Sequence, residues 1–190
     1  MNAKGSAERA TEAWLVGDSR IEAAEFARVR SALSSTGQPA LLARAELLRC
    51  ATRVASLVFE ACVAFDALAA DAAPAEQAYA RYLAGTASPA DAPLLPEAHR
   101  ALVGATAPDA ALNAIQDPLS QLVAAGVLLR SGRASDAVAE RAVGTSSARG
   151  WRRPLLAWLR VAQERAQAGG AADEVARLQR RIDVLMSPRR

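Results

Sequence analysis

The sequence predicts an all-α fold of antiparallel helix hairpins, and three observations carry that prediction. Apolar residues recur at spacings of three and four along most of the chain, the period of one helical face. Alanine, the strongest helix former, supplies 48 of the 190 residues. The eleven Gly and nine Pro gather in short clusters between the periodic segments, where they separate helices rather than break them. With 52% hydrophobic but only 4% aromatic residues, the core must be built from Ala, Leu and Val.

Trp14, Leu15 and Val16 close a first short helix. Asp18 or Ser19 then caps a second, in which Phe26, Val29 and Leu33 share a face before Ser34-Ser35-Thr36-Gly37 ends it. Pro39 opens a long segment whose apolar residues run from Leu41 to Ala61, so Ile21 to about Phe65 reads as one helical hairpin. Asp71-Ala72-Ala73-Pro74 starts a short helix carrying Tyr79, Tyr82 and Leu83. The stretch from Gly85 to Pro93 is the most loop-like, and it divides an N-terminal lobe (1–84) from a C-terminal lobe (94–190). Leu94 to Val103 reads as a linker helix, followed by short helices at 110–116 and from Pro118. Ser135 or Asp136 starts the next helix, which Gly144-Thr145-Ser146-Ser147 ends near Val143. A helix over 152–168 and a last one after Gly169-Gly170 complete an expected seven to nine.

Charge and composition exclude several functions. Residues 1–60 carry +1, residues 61–148 carry −4 and residues 149–190 carry +6, so the chain is polarised toward a basic end. That end suits an acidic protein or peptide partner, or forms an ordinary solvated face. No stretch of eighteen uncharged apolar residues exists, so no transmembrane segment is predicted. The N-terminal residues lack the apolar region of a secretory signal, which predicts the cytoplasm if Met1 is the native start, and the periplasm or cell envelope if a leader was removed. His99 is the single histidine, so His-based triads and His-metal clusters are disfavoured, and it is read as a packing or surface residue. Phosphate-binding glycine loops and zinc or serine-hydrolase motifs are missing, so the protein reads as non-catalytic, with no cofactor or metal. Cys50 and Cys62 would lie about 18 Å apart on one continuous helix, and no Gly or Pro separates them, so two buried thiols are expected rather than a bridge.

Three turns carry a resemblance. Gly132-Arg133-Ala134-Ser135-Asp136-Ala137 places a small residue five positions after glycine; Gly170 with Val175 repeats the spacing 38 residues later, and Gly17 with Ala23 is a looser relative. This resembles the turns of tetratricopeptide-type helical repeats, over about residues 118–186 with a fainter copy at 15–60. The resemblance implies a right-handed stack of hairpins that holds a peptide or partner subunit in a concave groove.

The segment with most chemical character is 148–160. Trp151 and Trp158 are seven residues apart, and Arg149, Arg152, Arg153 and Arg160 surround them. Guanidinium groups stack on indoles while donating paired hydrogen bonds, so these six residues form a candidate partner-binding surface. The competing reading places both indoles in the core with the arginines reaching outward. The sequence thus predicts an interaction or assembly scaffold; because Ala-rich packing buries little area per residue, homo-oligomerisation or a permanent partner would add stability. The alternatives are a structural component of a bacterial cell-envelope assembly, and a weak nucleic-acid-binding regulatory module, disfavoured because acidic residues interrupt the basic end.

Overall fold

The computed structural model describes residues 3–187. Among them are eleven α-helices, two 3-10 turns and no strand, so the all-α expectation is met. Helices α1 (Ala3–Val16), α2 (Ser19–Ser34) and α3 (Pro39–Ala55) come first. The middle of the chain is built from short pieces: α4 (Val63–Asp66), α5 (Pro74–Leu83), α6 (Glu97–Arg100) and α7 (Pro108–Ala114), with 3-10 turns at Ala69–Asp71 and Pro89–Leu94. Long helices then return as α8 (Pro118–Arg130), α9 (Asp136–Arg149), α10 (Arg152–Ala168) and α11 (Ala172–Met186).

Local chemistry sets most boundaries. Asp18 accepts from the Ile21 amide at 2.9 Å, Asp117 from Ser120 at 2.7 Å and Ser135 from Val138 at 3.2 Å, each satisfying a free amide at a helix start. Asp71 does not cap α5; it lies in a 3-10 turn, and Pro74 begins α5 after Ala73. The Gly85–Pro93 stretch is tied rather than loose. Buried Asp91 accepts from the Ser88 amide at 2.8 Å and hydroxyl at 3.1 Å, and pairs with Arg81.

Three expectations need correction. The helix from Pro39 does not continue to Ala61. It closes at Ala55, where Val58 donates to Arg53 and Leu57 to Val54, a reversal that puts Leu57 in the left-handed region at φ 59°. That turn, made without Gly or Pro, is why the expected free thiols are instead a disulfide: it returns Cys62 to 6.0 Å from Cys50 between Cα atoms. Closing a ring with a sequence separation of 12 restricts the unfolded chain by about 2–3 kcal/mol. The third correction concerns α9, which passes through Gly144 and ends at Arg149, because buried Ser146 belongs to its packed face and Gly150, at φ 67°, makes the reversal.

The core centres on α8, where every residue from Gln121 to Leu128 is buried. One continuous cluster of buried side chains runs from Leu15 through α3, α5, α8 and α9 to Leu178 and Ile182 of α11. A smaller one, Ala10 with Phe26 and Val29, lies between α1 and α2. Gly126 is the point of closest approach between α8 and α3. A Cβ there would stand 3.0 Å from the carbonyl carbon and Cγ1 of Val54, and closer still to the carbonyl oxygen. Backbone cannot yield as a flexible side chain would, so Ala at 126 forces the helices apart. The Gly126→Ala variant is expected to lose about 2–3 kcal/mol of stability in spite of a gain of roughly 1 kcal/mol in helix propensity. Gly144→Ala, where an added Cβ meets nothing within 4 Å, should instead gain about 0.5–1 kcal/mol. Urea midpoints of the two variants check this, and equal midpoints would refute the close crossing.

Candidate functional site

Of the arginines and tryptophans of segment 148–160, Trp151 and Arg153 turn toward the chain's own N-terminal helices. Trp158 is fully buried in the core. Trp151, the extended residue before α10, is buried and donates its ring N–H to both oxygens of Glu12, at 3.2 and 3.0 Å. The two indoles therefore enter the interior from different backbone settings. Arg149 is exposed with its guanidinium over the Trp151 ring at 5.2 Å, and Arg160 is exposed on α10. Arg152 donates to the Leu185 carbonyl in the last turn of α11.

Arg153 reaches furthest. It donates to the Trp14 carbonyl at 2.8 Å and to Ser19 Oγ at 2.7 Å, and it lies 3.7 Å above the Trp14 ring. Arg53 from α3 covers Trp14 as well, at 3.5 Å, and the Trp14 ring N–H donates to Ser56 Oγ at 3.1 Å. Arg53 and Arg49 both hold buried Glu22, at 3.0 and 2.8 Å. Burial alone would push the Glu22 carboxyl up; hydrogen bonding to Arg49 and the charges of Arg53 and Arg49 outweigh it and bring it below its ordinary value. Sequence reasoning missed Trp14, Glu22, Arg49 and Arg53, because their partners lie 27 to 139 residues away and no local pattern marks them.

An open groove lies elsewhere on the C-terminal half. Helices α9 and α11 both pack on α10, and the space between them has a volume of about 830 Å³. Ala139, Val143, Ala162, Ala166 and Leu178 give it an apolar lining. Its charged residues are arranged by wall. Asp136 and Glu140 stand on α9, while Glu174, Arg177 and Arg181 stand on α11. Arg165 of α10 is fixed within it, donating to the Ser135 carbonyl at 2.6 Å, the Ala134 carbonyl at 2.8 Å and Asp136 at 3.0 Å. Glu174 pairs with Arg177 through the Arg177 Nε at 2.6 Å. Among the described residues, Glu140 and Arg181 make no hydrogen bond or ion pair.

The remaining titratable cluster is internal. Buried His99 of α6 lies 4.9 Å from the Tyr82 ring and 5.7 Å from Tyr79, and neither His99 Nδ1 nor the Tyr82 hydroxyl has a hydrogen-bond partner. Burial pushes both tyrosine hydroxyls up and pushes the imidazole down to about 4, against a weaker opposing pull from the Asp117 charge. Among the described residues no three His, Cys, Asp or Glu side chains converge as metal ligands, and no helix is long and apolar enough to cross a membrane.

No protein-family model, curated protein or solved structure matches the chain.

The His99 environment sets an acid sensitivity. An unfolded imidazole takes up its proton near 6.5 and the folded one near 4, so between those values the unfolded state binds more protons and stability falls as pH falls. From pH 7.5 to 4.5 the protein should lose about 2–3 kcal/mol through His99, a loss absent from His99→Phe. Urea unfolding of both chains at the two pH values checks it; parallel pH dependence would refute it.

Proposed function

We propose that this chain is a non-catalytic interaction module, related in design to tetratricopeptide-like scaffolds, whose groove between α9 and α11 receives one amphipathic helix of a partner chain. The groove itself supports the reading most directly. Two helices flank a third and leave the apolar bed that a further helix would cover, the helix-in-groove mode of recognition. Small residues along it, Ala139, Gly144, Ala148, Ala162 and Ala166, allow that helix to approach closely. Glu140 on one wall and Arg181 on the other, neither in an ion pair among the described residues, supply charges of opposite sign, which would fix the direction of the bound helix. Of the residues read from the sequence as partner-binding, Arg149 and Arg160 remain exposed, and neither lines this groove. A photo-crosslinking residue placed at Ala162 is expected to capture a partner chain in the native cell, whereas one at exposed Ala101 is not. Equal labelling from both positions, or none from Ala162, would remove the groove reading.

The disulfide favours one of the alternative settings, an assembly in the cell envelope. A structural bridge persists where thiols are kept oxidised and is rare in a reducing cytosol. Its Cys50 and Cys62 are both partly covered by the core, as a bridge that serves structure would be. Protein drawn from its native cell under acid quench should resist alkylation until reduced. Immediate labelling at both cysteines would overturn the oxidising setting.

A further inference from the structure

We infer that the Cys50–Cys62 bridge is a redox lock on the end of α3: oxidised, it holds the Leu57 reversal, and opened by a dithiol it lets α3 run on to Cys62. Neither state requires anything of the groove between α9 and α11.

The two states exclude each other by length. The bridge holds the Cα atoms of Cys50 and Cys62 6.0 Å apart. A helix running through both would set them about 18 Å apart, beyond the reach of a disulfide. Opening the bridge therefore removes the covalent bar to the longer helix, and the residues concerned are suited to form it. No Gly or Pro lies between Ala51 and Ala61. Val58 and Ala61 come four and seven residues after Val54, on the face that Ala51 and Val54 bury, and exposed Glu60 falls on the far side.

The bent state is held against this local preference. Leu57 occupies the left-handed region at φ 59°, which its side chain disfavours. Among the described residues, the amides of Phe59, Glu60, Ala61 and Cys62 donate no hydrogen bond. In the longer helix they meet the carbonyls of Ala55, Ser56, Leu57 and Val58, one turn back. A segment whose pattern suits one fold while a covalent link imposes another is a two-state element. Residues 63–73 hold only a four-residue helix and a 3-10 turn, and pulled out they reach about 35 Å, enough to join a longer α3 to α5. Leaving the bend takes Phe59 from beneath the Arg130 guanidinium, 5.5 Å from its ring, and draws buried Phe65 from the core. Those two contacts return the segment to the bend when the bridge reforms.

Both cysteines are partly exposed, so an attacking thiolate can reach the bridge. One sulfur of the dithiol takes a bridge sulfur into a mixed disulfide and releases the other as a thiol. Its second sulfur then closes the dithiol into its own disulfide and releases the remaining cysteine. Two electrons and two protons pass from the dithiol to Cys50 and Cys62, and nothing else is consumed. In an oxidising setting the bent state is the resident one.

Amide hydrogen exchange of the full chain, bridged and after treatment with dithiothreitol, tests this. Reduction should slow exchange at residues 59–62 at least about tenfold and raise helical circular dichroism. The Cys50→Ser/Cys62→Ser chain, without reductant, should behave as the reduced one. Leu57→Gly relieves the left-handed turn and weakens the helix, so it should keep residues 59–62 fast in both redox states. Reduced chains whose 59–62 amides exchange as fast as the bridged ones overturn the inference. Exchange that quickens throughout α3 and α8 on reduction overturns it too, because the bridge would then be needed for the whole fold rather than to choose between two ends of α3.

Discussion

The crossing of α3 and α8 at Gly126 is the constraint on which the other packing depends. Because α8 is buried around its whole circumference, every neighbouring helix takes its position from it. Because α8 approaches the Val54 backbone with no intervening side chain, α3 in turn is placed by α8. An Ala-rich chain gains little area from each residue it buries, so close approach has to supply through dispersion contacts what large side chains supply elsewhere. A core of this kind tolerates little added volume at its crossing points and much change at its rim.

Polar contacts then fasten the outer elements to that centre, and arginine does most of this work. Arg130 donates to the Leu83 carbonyl, Arg133 to Leu102 and Ala105, Arg152 to Leu185, Arg153 to Trp14 and Arg165 to Ala134 and Ser135. These carbonyls lie near chain reversals or helix ends, where backbone amides are scarce; those of Trp14, Leu102 and Ser135 accept an amide as well as the guanidinium. A guanidinium can reach two such acceptors from one planar group, which an ammonium cannot do with the same fixed geometry. This gives a structural reason for a composition in which Lys4 is the lone lysine among 23 basic residues. The basic C-terminal third is in part a set of clamps directed inward.

Periodicity and turn chemistry made the long helices legible. The predicted limits of α10, 152–168, coincide with those observed, and Asp18, Asp117 and Ser135 are caps that lie beside the helices they start. What failed was what depends on distant partners. Leu57 adopts a backbone conformation that favours glycine, so nothing in residues 51–61 announces the reversal that joins Cys50 to Cys62. Gly144 reads as a breaker but sits within a helix, where its missing side chain opens the groove wall. The Arg/Trp segment was visible as a unit of recognition chemistry. That Trp14 and Glu12 would occupy two of its members could not be read from residues more than 130 positions away.

The bridge between Cys50 and Cys62 also alters how the chain carries load. Its ends are 6.0 Å apart across twelve residues of sequence that, pulled straight, would span about 40 Å. Force applied to the two termini passes through the sulfur atoms and bypasses the last turn of α3 and the Leu57 reversal. An oxidised chain under tension is therefore shorter by roughly 35 Å than a reduced one when fully extended. In an assembly that is stretched, that segment would keep its shape after its neighbours had given way.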